Sequence, residues 1–217
     1  MKSNVNKLLS ISSVNICSQS PKIPLEWTHK FGDLTQQLEK ILNARNGFFS
    51  FESALHLFPS NCLNYSQELM LWNQFDLWKK SYSNLEIEGL FFGEDIFGTQ
   101  FVIYDNGISK FDPETSDMET IASNFEDWAE LILEDYEVET GYPLAHEWQE
   151  KNGYLPVGKR LVPKSPFVLG GEFHISNLEL IDAIDGMKLR SNLACKLKDI
   201  PDGNKIKFNS YKDIIIS

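Results

Sequence analysis

Residues 85–128 read LEIEGLFFGEDIFGTQFVIYDNGISKFDPETSDMETIASNFEDW. Leu85, Ile87, Gly89 and Phe91 alternate with Glu86 and Glu88, which predicts a strand over residues 85–92. Residues 99–104 predict a second. Asp105-Asn106-Gly107 comes next, and Asn-Gly accepts the positive φ angles of a tight hairpin turn, so residues 108–111 return antiparallel. Asp112-Pro113-Glu114-Thr115 turns the chain again, ahead of a strand at 118–121. The stretch is an antiparallel meander. Ser123-Asn124-Phe125-Glu126 then has capping-box spacing: Ser123 caps the third amide and Glu126 reaches back. The helix it opens runs to about Glu137. Phe125, Trp128, Ile132 and Tyr136 share one side, and Glu126, Asp127, Glu130, Glu134 and Glu137 share the other.

Outward from the meander, Leu34, Leu38, Ile41 and Leu42 predict a helix over 33–44, capped by Asp33 and stopped by Asn46-Gly47. Residues 48–58 are dense in aromatics and end at Pro59. Leu69, Met70, Trp72, Phe75, Leu77 and Trp78 suggest an apolar helix face between residues 66 and 80. Gly141-Tyr142-Pro143 ends the acidic helix, and a short helix covers 144–151. Residues 152–171 are rich in Gly and Pro, with a short strand at 167–169. Pro201-Asp202-Gly203 separates two expected strands, 193–197 and 205–208. No linker or repeat divides the chain. The expected architecture is α+β: one domain over 1–217, a meander with helices packed against it, and a helical N-terminal extension of roughly 1–80.

The chain has 217 residues, 42% of them hydrophobic, and 15 Phe, 7 Tyr and 5 Trp to fill a core. Its formal net charge is −11. That excludes the basic footprint of general nucleic-acid binding and disfavours an anionic membrane surface. The charge is unevenly placed. Residues 1–111 hold 9 basic and 11 acidic residues, residues 112–150 hold 13 acidic and no Lys or Arg, and residues 151–217 hold 11 basic and 7 acidic. Such a segment is either a solvated face or a landing surface for a basic partner. Cys17, Cys62 and Cys195 are too scattered for a disulfide framework or a zinc cage, and an odd number fits a reducing compartment. No apolar run is long enough to span a membrane. The run from Leu8 to Cys17 is broken by Asn15 and three serines, too sparse for a secretion signal. The expected location is cytoplasmic.

Several fragments resemble catalytic motifs and fail on chemistry. Residues 153–160 approach a phosphate-binding loop, but Arg160 stands where a hydroxyl should hold magnesium and Pro156 removes a donor. Gly170-Gly171-Glu172-Phe173 is similar to a diguanylate cyclase signature without its upstream carboxylates. His146-Glu147-Trp148-Gln149-Glu150 lacks the second His of a zinc-protease helix, and residues 112–117 lack the Gly and Glu of a calcium loop. His29, His56, His146 and His174 stand far apart, without a nucleophile arranged beside them. The expectation is a non-enzymatic protein with no catalytic residues, no metal and no cofactor.

Three stretches in order carry a resemblance: Phe91 to Phe101, then Phe111 to Thr115, then Ile121 to Trp128. With Gly141-Tyr142-Pro143-Leu144-Ala145 and Pro166 to Gly171, they are similar to the SUKH superfamily, which includes the yeast cell-wall-assembly regulator and many bacterial immunity proteins. The resemblance covers roughly residues 85–175. The N-terminus departs from it, with about 45 residues ahead of the usual start. The resemblance implies an α+β fold and binding rather than catalysis. It implies an immunity protein that neutralises a cognate, basic toxin, often a nuclease. An acidic surface can mimic the phosphate such a toxin grips. Glu126, Asp127, Glu130, Glu134 and Glu137 are the first candidates for that surface, and Glu94 and Asp95, in the family-like turn, are the second. The alternative is a regulatory or scaffold protein of the same fold with a different protein partner.

Overall fold

The computed structural model describes residues 3–82, 85–198 and 206–216. Its centre is a six-stranded antiparallel sheet whose strands lie in chain order: β1 (Phe48–Ser50), β2 (Leu55–Leu57), β3 (Leu90–Glu94), β4 (Gln100–Tyr104), β5 (Gly107–Phe111) and β6 (Met118–Ala122). The meander and the α+β class are therefore observed. The helical extension is corrected: residues 48–57 supply the first two strands of the sheet.

Local chemistry explains the boundaries. The β4–β5 turn places Asp105 and Asn106, at φ 45° and 60°, in the left-handed region. Gly107 already belongs to β5. A Cβ there would meet Thr120 Cγ2 at 3.1 Å and the Ala122 carbonyl at 3.2 Å, so the glycine admits β6. The strand expected from residue 85 starts only at Leu90. Residues 85–90 keep alternating burial, but Gly89 at φ 113° takes the chain off the ladder. All five β3 residues are buried because both sheet faces are covered. Phe91 packs edge-on against Trp78 and Phe111, on the side of Trp72 and Tyr82. Phe92, displaced by a β-bulge, meets Phe101, Phe125 and Trp128 on the other.

The second face is covered by α1 (Asn4–Ile11), α3 (Asp33–Ala44) and α5 (Phe125–Glu134), with the short α2 (Leu25–Phe31) ahead of α3. α3 buries Leu34, Leu38, Ile41 and Leu42 as its spacing predicts, although Gly32 rather than Asp33 is the cap residue. The helix expected over 66–80 is corrected. α4 is only Leu69–Trp72, and a 3₁₀ turn follows at Lys79–Tyr82. Asn73 stops it: its amide donates to the Leu69 and Phe91 carbonyls at 2.9 and 2.8 Å and accepts from the Phe91 amide at 3.0 Å. The side chain joins the sheet, and Met70 and Phe75 are left exposed.

α6 (Tyr136–Thr140) and α7 (Tyr142–Asn152) follow α5, separated from each other by Gly141 at φ 69°. β7 (Lys159–Pro163) and β8 (Leu178–Asp182) pair antiparallel outside the main sheet, so the segment that resembled a phosphate-binding loop enters a strand. Residues 167–169 form a 3₁₀ turn, not a strand, ended by Gly170 at φ 87°. The strand expected at 193–197 is also corrected, because α8 (Ala183–Lys198) runs through it. Asp182 caps this helix, accepting from the Ile184 amide at 3.0 Å, and Met187, Arg190 and Ala194 repeat at helical spacing on the buried side. β9 (Ile206–Ser210) and β10 (Asp213–Ile216) form a closing hairpin. The Pro201–Asp202–Gly203 turn and Lys205 lie outside the described residues. Among the described residues, no helix is long and apolar enough to cross a membrane.

The cap of α5 is displaced by one residue from the predicted box. Asn124 is the N-cap, accepting from the Glu126 and Asp127 amides at 2.9 and 3.0 Å, while Asp127 accepts from Asn124 Nδ2 at 2.8 Å and from the Ser123 hydroxyl. Asn124→Ala is expected to lower stability by about 1 kcal/mol. The check is the urea midpoint, and a midpoint equal to that of the parent would assign the cap to Ser123 instead.

Candidate functional site

The helix expected to run to Glu137 is corrected: α5 ends at Glu134 with Asp135 as its C-cap, and Tyr136 and Glu137 belong to α6, while the two faces form within α5. Phe125, Trp128, Ala129 and Ile132 are buried against the sheet, and Glu126, Asp127, Glu130 and Glu134 are exposed, as is Glu137 on α6. The five are not equivalent. Glu126 accepts from the Asn4 amide at 2.7 Å and from the Ser3 hydroxyl, so it caps α1 rather than its own helix. Asp127 is engaged at its own N-cap. Glu130, Glu134 and Glu137 make no ion pair among the described residues. Among the described residues, no basic residue after 150 pairs with α5. The ion pairs of the basic residues there go to Glu147, Asp182 and Glu94.

Glu94 is corrected as a surface candidate. It is fully buried at the end of β3, where Arg160 Nε lies 2.6 Å from its Oε1, His56 Nδ1 lies 3.2 Å away and Gln67 Nε2 donates to it. Gln100 Nε2 donates to the other oxygen at 3.3 Å, and Gln100 Oε1 accepts from Trp72 Nε1 at 2.8 Å. Tyr65 Oη lies 3.0 Å from His56 Nε2. A neutral imidazole with its proton on Nδ1 satisfies both contacts, donating to Glu94 and accepting from Tyr65. Burial pushes the His56 pKa down to about 4. Burial works to raise Glu94, but Arg160 and the His56 hydrogen bond outweigh it and hold the carboxyl below its ordinary value. A His–Glu pair of this kind resembles a catalytic dyad. Here it is closed to solvent on every side, and it orders the junction of β2, β3 and β7.

Asp95 takes a different place. It is 5% exposed, and its Oδ1 accepts from the Phe97 and Thr99 amides at 2.8 and 2.9 Å, which shapes the β3–β4 turn. Burial raises its carboxyl to about 6 against the pull of Lys110. Asp95 lies on the floor of an open cleft of about 480 Å³ between the turn at 112–117 and residues 167–173. Glu114, 3% exposed, lines the same cleft and accepts from the Tyr211 hydroxyl at 3.1 Å and the Val168 amide at 3.0 Å. Its carboxyl is also raised by burial. Arg190 lines the cleft too, with Nη1 and Nε donating to the Phe97 and Gly186 carbonyls at 2.7 and 3.0 Å. One wall is aromatic: the Phe167 and Phe173 rings stack at 4.0 Å and 5°, and Phe97 sits edge-on to both. Phe173 is 68% exposed. Sequence reading missed this cleft. Phe173 sits in the cyclase-like fragment, and no periodicity links 95, 114 and 173. The available signal was a Phe on each side of a Gly-Gly pair that closes a tight bend, where a Cβ on Gly171 would meet the Pro166 carbonyl at 2.8 Å.

The remaining histidines do not converge. His29 and His174 are exposed, and His146 pairs with Glu52 at 2.8 Å. That contact, with Gln149 donating to the Glu52 carbonyl at 2.8 Å, pins a β1–β2 turn in which Phe51, Glu52 and Ser53 all have positive φ. Among the described residues, no group of three or more His, Cys, Asp or Glu could hold a metal ion.

Compared with models of protein families, the chain matches none, and no curated protein matches its sequence. Among solved structures it is similar to the crystal structure of Atu4351 from Agrobacterium tumefaciens, with a TM-score of 0.51 at 11% identity, over 95% of this chain and 91% of that one. At that identity the likeness is one of fold, and it extends over nearly the whole of both chains.

Proposed function

We propose that this chain is a non-enzymatic, cytoplasmic immunity protein that binds a cognate basic toxin, of the nuclease kind, and blocks it through an acidic surface. One observation carries the reading. Residues 112–150 contain no Lys or Arg, and Glu130, Glu134 and Glu137 are exposed and make no ion pair among the described residues. A cationic protein would meet this surface under electrostatic steering, and a nuclease would present to it the groups it uses on phosphate. The resemblance of residues 85–175 to the SUKH superfamily supports the same reading.

The test begins with capture from the producer's secreted fraction at low and high salt. A basic polypeptide that poisons cells, and is relieved of toxicity by added chain, is the expected catch, with affinity falling as salt rises. Charge reversal Glu130→Lys with Glu134→Lys is expected to slow association by roughly tenfold or more, measured by stopped flow. An unchanged rate would remove the α5 surface from the interface. Capture of non-toxic proteins alone would replace immunity with a scaffold role.

A further inference from the structure

Two buried carboxylates line the cleft. Asp95 and Glu114 are 5% and 3% exposed, yet neither makes an ion pair among the described residues. A buried charge is normally paired, because its desolvation costs several kcal/mol otherwise. Two cations act on them from a distance, Lys110 on Asp95 and Arg190 on Glu114. Lys110 Nζ is 2.6 Å from Glu139, and the Arg190 donors face two carbonyls. Asp112, Asp117 and Glu119 also line the cleft, so its balance is acidic despite Lys110 and Arg190. Five carboxylates against two cations give the lining a net acidic charge, which favours a cation over an anion or a phosphate as occupant. The stacked Phe167–Phe173 wall then selects among cations. A planar guanidinium lies flat on an aromatic face and forks its donors to carboxylates, whereas an ammonium is a hydrated point charge.

We propose that this cleft seats an arginine side chain of the basic protein partner, its guanidinium lying against Phe173 and facing Asp95 and Glu114. The identity of that partner rests on the immunity reading above, while the cleft's preference for arginine does not. An arginine held in a partly desolvated aromatic-and-acidic cleft is the kind of anchor that dominates an interface. The acidic surface of α5 and α6 would then set the rate of encounter, and the cleft the lifetime of the complex.

The test needs no partner. The full chain, labelled with ¹⁵N, is titrated with N-acetyl-arginine amide at pH 7. The Phe97, Thr99 and Val168 amides are the reporters, since they donate to Asp95 and Glu114. Saturable shifts at these amides, with a dissociation constant in the millimolar range, are expected. The matching citrulline amide, equal in shape but uncharged, should bind at least tenfold more weakly. Asp95→Asn should weaken arginine binding by a similar factor. Phe173→Ala, at a ring that is 68% exposed, should weaken it about fivefold. Binding should also decline as pH falls through about 6, where Asp95 takes up its proton. Glu130→Lys with Glu134→Lys should leave the titration unchanged. Equal binding of citrulline, or shifts confined to α5 with the three reporters still, would overturn the proposal. Arginine binding here without any neutralised toxin would keep the cleft and remove the immunity reading.

Discussion

Arg160→Met is expected to lower the unfolding free energy by about 3–5 kcal/mol, the cost of leaving one member of a buried ion pair without the other. For a chain of this length that is a fall in Tm of roughly 10 °C, at about 2–4 °C per kcal/mol. Arg160 is 1% exposed and is the cation within reach of Glu94, which is itself fully buried. Methionine fills much of the volume and leaves the carboxylate facing a neutral imidazole and two amides. Arg160 is itself incompletely satisfied: Nη1 reaches the Lys159 carbonyl at 2.9 Å, but Nη2 has no partner among the described residues. The double replacement Glu94→Gln with Arg160→Met is therefore expected to recover most of the loss, since it removes both desolvated charges. Guanidinium unfolding of the two single variants and the pair checks this. A loss below about 1 kcal/mol in Arg160→Met would show that Glu94 is neutral in the folded chain.

The second large effect is a pH dependence. His56 has an ordinary pKa of 6.5 and is held near 4 by burial. Between those values the unfolded chain binds a proton that the folded chain refuses, so stability rises with pH. The contribution is complete above about pH 6.5 and is lost as pH falls toward 4, on the order of 3 kcal/mol in all. Glu94, held low, adds a loss at the acid end as pH falls below its ordinary range. Asp95 opposes them: with its carboxyl raised to about 6, the folded chain holds a proton that the unfolded chain has released, so its share of stability falls as pH rises through that window. His56→Gln separates these parts, because glutamine can donate to Glu94 and accept from Tyr65 without titrating. Subtracting its stability profile from the parent's should leave a rise between pH 4 and 6.5, and a flat difference would mean that His56 is charged in the folded chain.

The meander was legible in residues 85–128 because each strand there has a local cause: alternation, a tight turn, a cap. So was α3. What failed to show was set by distant partners. Asn73 looks like any polar residue in a helical run until β3 offers it a backbone edge, and the helix expected over 66–80 breaks there. Residues 193–197 are apolar enough for a strand, and only the preceding Asp182 cap and the buried Met187–Arg190–Ala194 spacing make them the end of α8. Glu94 read as a solvated turn residue because its partners, His56 and Arg160, lie 38 and 66 positions away on β2 and β7. The acidic face was readable from periodicity alone. The division of labour within it was not, since Glu126 is claimed by α1 from 122 positions up the chain.

That last contact separates two stages of folding. Every pairing in the six-stranded sheet joins neighbours in the chain. Most of these pairings close short loops, which suits early formation. α1 cannot take part in that stage: during synthesis it leaves the ribosome long before the helix that holds its cap exists. It docks by closing the longest loop bridged by a side-chain hydrogen bond among the described residues. Until it does, Glu126 stands beside Glu130 and Asp127 without its two α1 donors, and the nascent chain carries one more carboxylate free of protein hydrogen bonds on this surface than the finished protein shows. Settling of the N-terminal helix is thus the event that trims the acidic face to its mature form.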